Sequence, residues 1–219
     1  MTPEARLFRA VKRGDFKAAS AAIAEGADIS LVRINDKSLL RMAGELGLRN
    51  ICELLVKAGA NSNETNGVRQ YSLLHNAAAS FNYGFACILL DLKAYPSPKA
   101  SNNSTPLHFA ARSGQQFLVD KLLEHGAELD AQDNQGRSPL YCAVQKGDSG
   151  MVKFLIRRGS DVNLTDCRGR SPLAIAEAAQ MDDIESLLLK NGATQRSATT
   201  HAQRLNRAPE NLGLNPNER

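Results

Sequence analysis

The amino-acid sequence predicts an all-α repeat solenoid of six stacked helix–turn–helix units, each preceded by a β-hairpin-like finger. Three observations carry this expectation. First, the string Thr105-Pro-Leu-His108 returns as Ser138-Pro-Leu-Tyr141 and Ser171-Pro-Leu-Ala174, with weaker copies at Ser72-Leu-Leu-His75 and Ser38-Leu-Leu-Arg41. From residue 38 these copies step by 34, 33, 33 and 33 residues. Second, a closing marker at Gly26-Ala27, Gly59-Ala60, Lys93-Ala94, Gly126-Ala127, Gly159-Ser160 and Gly192-Ala193 steps by 33, 34, 33, 33 and 33. Both phases place one extra residue between Ala60 and Ser72. Third, stacking the copies aligns Leu7, Leu40, Leu74, Leu107, Leu140 and Leu173 at one position, and Ala10, Ala43, Ala77, Ala110, Ala143 and Ala176 at another. A fixed period of this length marks a stack of small units.

Each element has a local reason. Ser or Thr followed by Pro is a helix N-cap with proline at the first helical position, where its missing N–H does no harm. The first helix stops at Gly14, Gly47, Gly114 or Gly147. A second helix runs to the Gly-Ala marker, where glycine takes the left-handed closing conformation. A polar segment such as Asp130-Ala-Gln-Asp-Asn-Gln-Gly136 then turns back to the next cap. Neither helix is long enough to persist alone in water, so packing between units must hold them. In the second helices Ala22, Leu55, Leu89, Leu122, Leu155 and Leu188 share a position. The units run over about 1–32, 33–66, 67–99, 100–132, 133–165 and 166–194, followed by a polar tail at 195–219 expected to be disordered.

The pattern TPLH, AA-x-x-G, an LLL-x-x-GA run and a D-x-x-G finger resembles the ankyrin repeat family, best over residues 100–193 and more loosely in units 1–3. The resemblance is specific for fold and nearly silent about function. Unit 3 departs most. Phe81 stands where the inter-helix glycine belongs and Lys93 where the closing glycine belongs; the segment from Tyr95 to Asn103 has two prolines and no aspartate. Asn103 takes the finger-glycine position and tolerates positive φ, and a finger of different shape is expected there. Asp36 and Gln70 also replace finger glycines, which puts the fingers ahead of units 2 and 3 in doubt. Drift in a tolerant repeat and reshaping for a partner both account for these departures.

Composition narrows the function classes. The chain has 219 residues, 42% hydrophobic and 23% charged, with Lys+Arg 27 against Asp+Glu 23. Mean hydropathy is -0.33 and no apolar run approaches a membrane span. Cys52, Cys87, Cys142 and Cys167 are scattered without a CxxC pair, which suits a reducing compartment, and no secretory h-region is visible. We therefore expect an intracellular, cytoplasmic protein, nuclear as an alternative, or one acting in host cytosol if it is a delivered effector. No phosphate loop, GxSxG or HExxH occurs, so neither catalytic, cofactor nor metal residues are expected. His75 and His108 end the cap string and are expected to bond to neighbouring backbone. Cys167 occupies an outward finger position, where a reactive thiol is conceivable. Asp161-Val-Asn163 matches the finger-end asparagine that some family members present for hydroxylation.

The resemblance implies partner binding on the concave face, formed by finger tips and the outward side of each first helix. Carried onto this sequence, the candidate partner-binding positions are Lys12 and Arg13 in unit 1, Ile34, Lys37 and Leu46 in unit 2, and Val68, Arg69 and Tyr71 in unit 3. Unit 4 adds Arg112, unit 5 Arg137 and Lys146, and unit 6 Arg168 and Arg170. Nine basic residues against Glu4 and Glu45 give this face a net +7; the tail carries +2 and the remaining surface therefore -5. Ile34, Leu46, Val68 and Tyr71, flanked by Lys37 and Arg69, have the make-up of an interface hot spot. The alternative is that altered fingers fold inward and bury them.

The leading expectation is a non-enzymatic scaffold that is monomeric on its own and binds an acidic partner surface or segment. An assembly chaperone or inhibitor of a larger complex, and a pathogen effector acting on a host protein, are alternatives that differ in consequence. Nucleic-acid binding along the basic groove is a weaker alternative, because the face lacks exposed aromatics for base stacking.

Overall fold

The computed structural model describes residues 1–34 and 37–194; of Ile34 only the backbone is described. The tail at 195–219, expected to be disordered, and the finger positions Asn35 and Asp36 lie outside the described residues.

Twelve α-helices occur among the described residues, in six antiparallel pairs. The inner helices are α1 (Pro3–Arg13), α3 (Leu39–Glu45), α5 (Leu73–Ala79), α7 (Pro106–Arg112), α9 (Pro139–Lys146) and α11 (Pro172–Ala178). The outer helices are α2 (Phe16–Ala24), α4 (Arg49–Lys57), α6 (Tyr83–Asp91), α8 (Gln116–Glu124), α10 (Ser149–Arg157) and α12 (Asp182–Lys190). The caps read from sequence form at the serine positions, whereas the Thr105 hydroxyl lies against His108 Nδ1 (2.9 Å). Ser72, Ser138 and Ser171 accept from the backbone three residues on, and Pro106, Pro139 and Pro172 open their helices.

Packing along the stack explains the repeated residues. All six aligned leucines of the inner helices and all six alanines are buried, as is the shared position from Ala22 to Leu188 in the outer helices. The close approach is extreme at Gly44 of α3, where a Cβ would overlap the ring of buried Phe85 from α6. Phe85 belongs to a row whose other members, Ile51, Leu118, Met151 and Ile184, are also buried. In unit 1 that position holds exposed Ala18.

The left-handed turns keep their shape whether or not glycine occupies them. Phe81 (φ 57), Lys93 (φ 63), Gln70 (φ 52), Asn103 (φ 57) and Gln180 (φ 56) all take positive φ. Each costs an L residue roughly 1–2 kcal/mol that glycine would avoid. Of these, Gln180 was not foreseen as a departure.

The fingers correct two expectations. Those ahead of units 2 and 3 each contain a strand pair, the two such pairs among the described residues: β1 (Arg33–Ile34) with β2 (Lys37–Ser38), and β3 (Thr65–Asn66) with β4 (Tyr71–Ser72), both antiparallel. The finger ahead of unit 4 shares the backbone form of the next two. Ala100 N donates to Ser104 O (3.0 Å) as Asp133 N does to Arg137 O (3.1 Å) and Asp166 N to Arg170 O (3.0 Å). Pro96 and Pro98 lie ahead of this turn and remove no donor it uses. Asn102 Oδ1 accepts from Ser104 N (3.2 Å), a side-chain tie in place of the missing aspartate. Neighbouring fingers also bond directly, through Ser101 N to Arg69 O (3.0 Å), Asn134 N to Asn102 O (2.9 Å) and Cys167 N to Gln135 O (2.8 Å). The last contact is so close that a Cβ on Gly136 would lie 2.7 Å from the Cys167 amide nitrogen.

Side chains tie α5, α7 and α9 to the next finger. Ser72 N donates to His75 Nδ1 (3.1 Å), so the ring hydrogen sits on Nε2, which donates to Ser104 O (2.9 Å). His108 repeats this with Thr105 N (3.1 Å) and Arg137 O (2.9 Å). In unit 5 the histidine position holds buried Tyr141, whose longer side chain reaches Asp166 Oδ2 (2.8 Å) instead. Burial holds both imidazoles below their ordinary pKa, against the opposing pull of the carbonyl acceptors.

Two stability predictions follow from these contacts. Gly44→Ala should destabilise the fold by about 1–3 kcal/mol through overpacking against Phe85, measured by urea denaturation. Phe85→Leu in the same chain should recover a large part of that loss; additive losses would show that the two positions are uncoupled. For His75 and His108, the folded pKa lies below the unfolded value of about 6.5, so the unfolded chain takes up more protons as pH falls. Stability from these ties is complete above about pH 7 and declines below about pH 6.5. The urea midpoint should therefore drop between about pH 7.5 and about pH 5.5, and an unchanged midpoint would contradict the assignment.

Candidate partner-binding face

The residues singled out by the sequence lie in the last turns of the inner helices and on the fingers ahead of them. Lys12 and Arg13 lie in the last turn of α1, Arg112 in that of α7 and Lys146 in that of α9. Cations there complement the partial negative charge of helix C-termini, which gives them a structural reason to be present. Arg69 and Arg168 are exposed on finger tips. No carboxylate partner occurs for any of these six side chains among the described residues.

The other three basic candidates are already engaged. Arg137 binds Asp133 through Nε (2.9 Å) and Nη2 (2.6 Å), and Arg170 binds Asp166 through Nε (2.8 Å) and Nη2 (2.7 Å). Burial would raise both carboxyls, but hydrogen bonds from these arginines and from finger amides outweigh it and hold both below the usual carboxylate range. Lys37 Nζ lies 2.7 Å from Glu45, which also binds Arg41. The +7 counted from residue types thus includes two arginines whose charge is spent on shaping their own fingers. Finger aspartates were left out of that count because they are not outward positions.

The apolar candidates separate. Val68 is 96% exposed at its finger tip and Leu46 is 53% exposed at the end of α3. Tyr71 is half-buried: it stacks on His75 (centroids 5.6 Å) and meets the edge of Phe109 (5.4 Å). Arg112 lies over the Phe109 ring, 5.0 Å from its centroid. Phe109 was missed by sequence reasoning; its signal was an aromatic directly after the cap string in one unit alone. The side chain of Ile34 lies outside the described residues.

A shallow groove crosses the inter-helix turns of units 3, 4 and 5, bordered by Phe81, Arg112 and Lys146. Phe81, read from sequence only as a missing glycine, projects into solvent at 64% exposure. Toward the other end, a cavity of about 510 Å³ opens between units 1 and 2 beneath the first finger, where Glu64 accepts from Ser38 and Arg33. Its charged groups are mutually satisfied. Among the described residues no group of three or more His, Cys, Asp or Glu is placed to share a metal ion. Burial pushes the Cys52 thiol up to about 12 and the Cys142 thiol up to about 11, while Cys167 is exposed. No described helix is long and apolar enough to cross a membrane.

Comparison with known proteins agrees with this architecture. The family model for ankyrin repeats in three copies matches residues 74–166 and 107–199, together more than half of the chain. The E3 ubiquitin-protein ligase KEG of Arabidopsis thaliana is 30% identical over 88 residues, which is 40% of this chain and 5% of that protein. The inactive serine/threonine-protein kinase TEX14 of Bos taurus is 27% identical over 133 residues, 61% of this chain and 7% of that protein. The chain thus spans only a small part of the length of these relatives. Among solved structures, the ankyrin repeat domain of Bcl-3, described as a unique member of the IkappaB protein family, aligns with a TM-score of 0.76 at 28% identity, covering 86% of each chain. An ankyrin repeat domain from Acinetobacter baumannii AYE aligns with a TM-score of 0.74 at 24% identity, covering 86% of this chain and 98% of its own. Ankyrin repeats are in general protein–protein interaction modules and typically non-enzymatic. By the residues that match and by the stack they build, this chain belongs to the ankyrin repeat family.

Proposed function

We propose that this chain binds an acidic surface or segment of another protein along its inner face, without chemistry of its own. The observation that carries this reading is the set of six cations without a carboxylate partner among the described residues, Lys12, Arg13, Arg69, Arg112, Lys146 and Arg168, spread from unit 1 to unit 6. Elsewhere cations are often consumed by carboxylates: Arg49 pairs with Asp91 (2.6 Å) and Arg158 with Asp120 across units, and Arg6 with Glu25 within unit 1. A field of one sign along the inner face steers an oppositely charged partner and raises its association rate. Exposed Val68 and Leu46 add apolar area among these charges. Four unpaired cysteines fit an intracellular site of action.

The test is a pull-down and a kinetic binding assay with the full chain and with Arg69→Glu/Arg168→Glu. Both sites are exposed, so the double variant should melt as the parent does, while losing acidic partners and slowing association by about tenfold at low salt. Adding salt should weaken parent binding most. Retention of every partner by the double variant, or binding insensitive to salt, would overturn the proposal. Val68→Ser should weaken binding without lowering stability, because the side chain touches little of the fold.

A further inference from the structure

We propose that Phe81 is the anchor point of the bound segment: an apolar side chain of an acidic peptide packs on its ring, and a neighbouring carboxylate sits between Arg112 and Lys146. This rests on the reading above that the inner face binds an acidic segment, and it names where that segment is held.

The backbone carries the first part of the argument. At the inter-helix turn, units 1, 2, 4 and 5 use Gly14, Gly47, Gly114 and Gly147 with φ between 69 and 76. Unit 3 forms the same turn with Phe81 at φ 57. A bulky side chain in the left-handed region is a strained choice, and strain of this kind marks positions where something other than folding selects the residue. Burial does not offset the strain, because the ring is 64% exposed.

Its surroundings identify the occupant. Gly114 and Gly147 line the groove beside Phe81 without side chains, which leaves its floor open. Arg112 and Lys146 border the same groove, and neither has a carboxylate partner among the described residues. Asp148 also lines it, but its Oδ1 accepts from Met151 N (2.9 Å), capping α10. Two cations with no carboxylate partner, against one engaged carboxylate, favour an anionic ligand, and the exposed ring favours an apolar group beside the charge. Of the five exposed aromatic residues among those described, Phe81, Tyr83, Tyr95 and Phe117 fall within residues 81–117, so the apolar surface is concentrated in these two units. An aromatic anchor flanked by arginine is the composition of an interface hot spot. The chain's own tail is a poor occupant by charge, since its four arginines outnumber its two glutamates.

Phage-displayed random dodecapeptides selected on the full chain, with counter-selection on Phe81→Gly, test this directly. Glycine relieves the positive φ, so Phe81→Gly should melt at the same or a higher temperature than the parent. Enriched peptides should combine leucine or an aromatic with neighbouring Asp or Glu. A fluorescent copy of the leading peptide should bind the parent and lose at least tenfold in affinity to Phe81→Gly and to Arg112→Glu/Lys146→Glu. The inference is overturned if no peptide discriminates against Phe81→Gly, if enriched peptides lack acidic residues, or if weaker binding comes with a lower melting temperature. A concentration-dependent dimer that Phe81→Gly abolishes would also overturn it, assigning the groove to a second copy. If Arg69→Glu/Arg168→Glu loses protein partners while Phe81→Gly keeps them, the anchor is wrong and the inner-face reading stands. If neither variant loses a partner, both fall.

Discussion

No unit of this chain can bury its own apolar face, and everything else in the structure answers that constraint. Two helices of seven to eleven residues form no stable pair in water. Burial comes only from the next unit, so the residues that repeat most faithfully are those that face along the stack. Leucine fills the layer between inner helices, and alanine beside it lets the helix axes approach. Where a partner side chain grows, its neighbour shrinks: Gly44 faces the ring of Phe85, an exchange of volume across one unit boundary. Stability is then a sum of units and their interfaces, and a change in one unit is felt mainly by its two neighbours.

The fingers extend the same logic through polar groups. Those ahead of units 4, 5 and 6 donate a backbone N–H to the finger before them, and α5, α7 and α9 each send a side chain to a carbonyl or carboxylate of the finger after it. Tyr141 shows how tolerant this tie is. Its hydroxyl extends past the carbonyl that histidine would reach and lands on the finger carboxylate, so the link survives a change of both donor and acceptor. Because Asp133 and Asp166 must brace their fingers, Arg137 and Arg170 are drawn inward to them. Structural need thus removes some of the charge a partner could use.

Much of this was legible from sequence, and the limit has a physical form. The period, the caps, the leucine and alanine rows and the histidine ties are local consequences of residues repeating in register, and one copy interprets another. The shape of the fingers was misjudged because the sequence argument weighed the missing glycine and the prolines alone. Backbone bonds from neighbouring fingers and a side-chain tie from Asn102 supply what those residues lack. The charge of the inner face was overcounted for a related reason: pairing between residues four apart in a tight turn depends on backbone geometry that residue type does not specify. Phe109 and Tyr71 meet across a unit boundary, so neither position by itself announces the cluster.

The departures in unit 3 gain meaning from where they sit. A nearest-neighbour stack is least sensitive to local strain in its middle, where units on both sides hold a turn in place. Left-handed Phe81 and Lys93 are found there, in the unit that also contributes exposed Val68 and the cation Arg69. Drift alone would leave replaced glycines with side chains of no particular kind, and Gln180 in unit 6 fits that description. Phe81 does not: it places an aromatic ring in solvent, against its backbone preference, beside Arg112 and Lys146. A stack that keeps its shape when one turn is strained is free to spend that turn on recognition, which makes the least regular unit the most informative one about the partner.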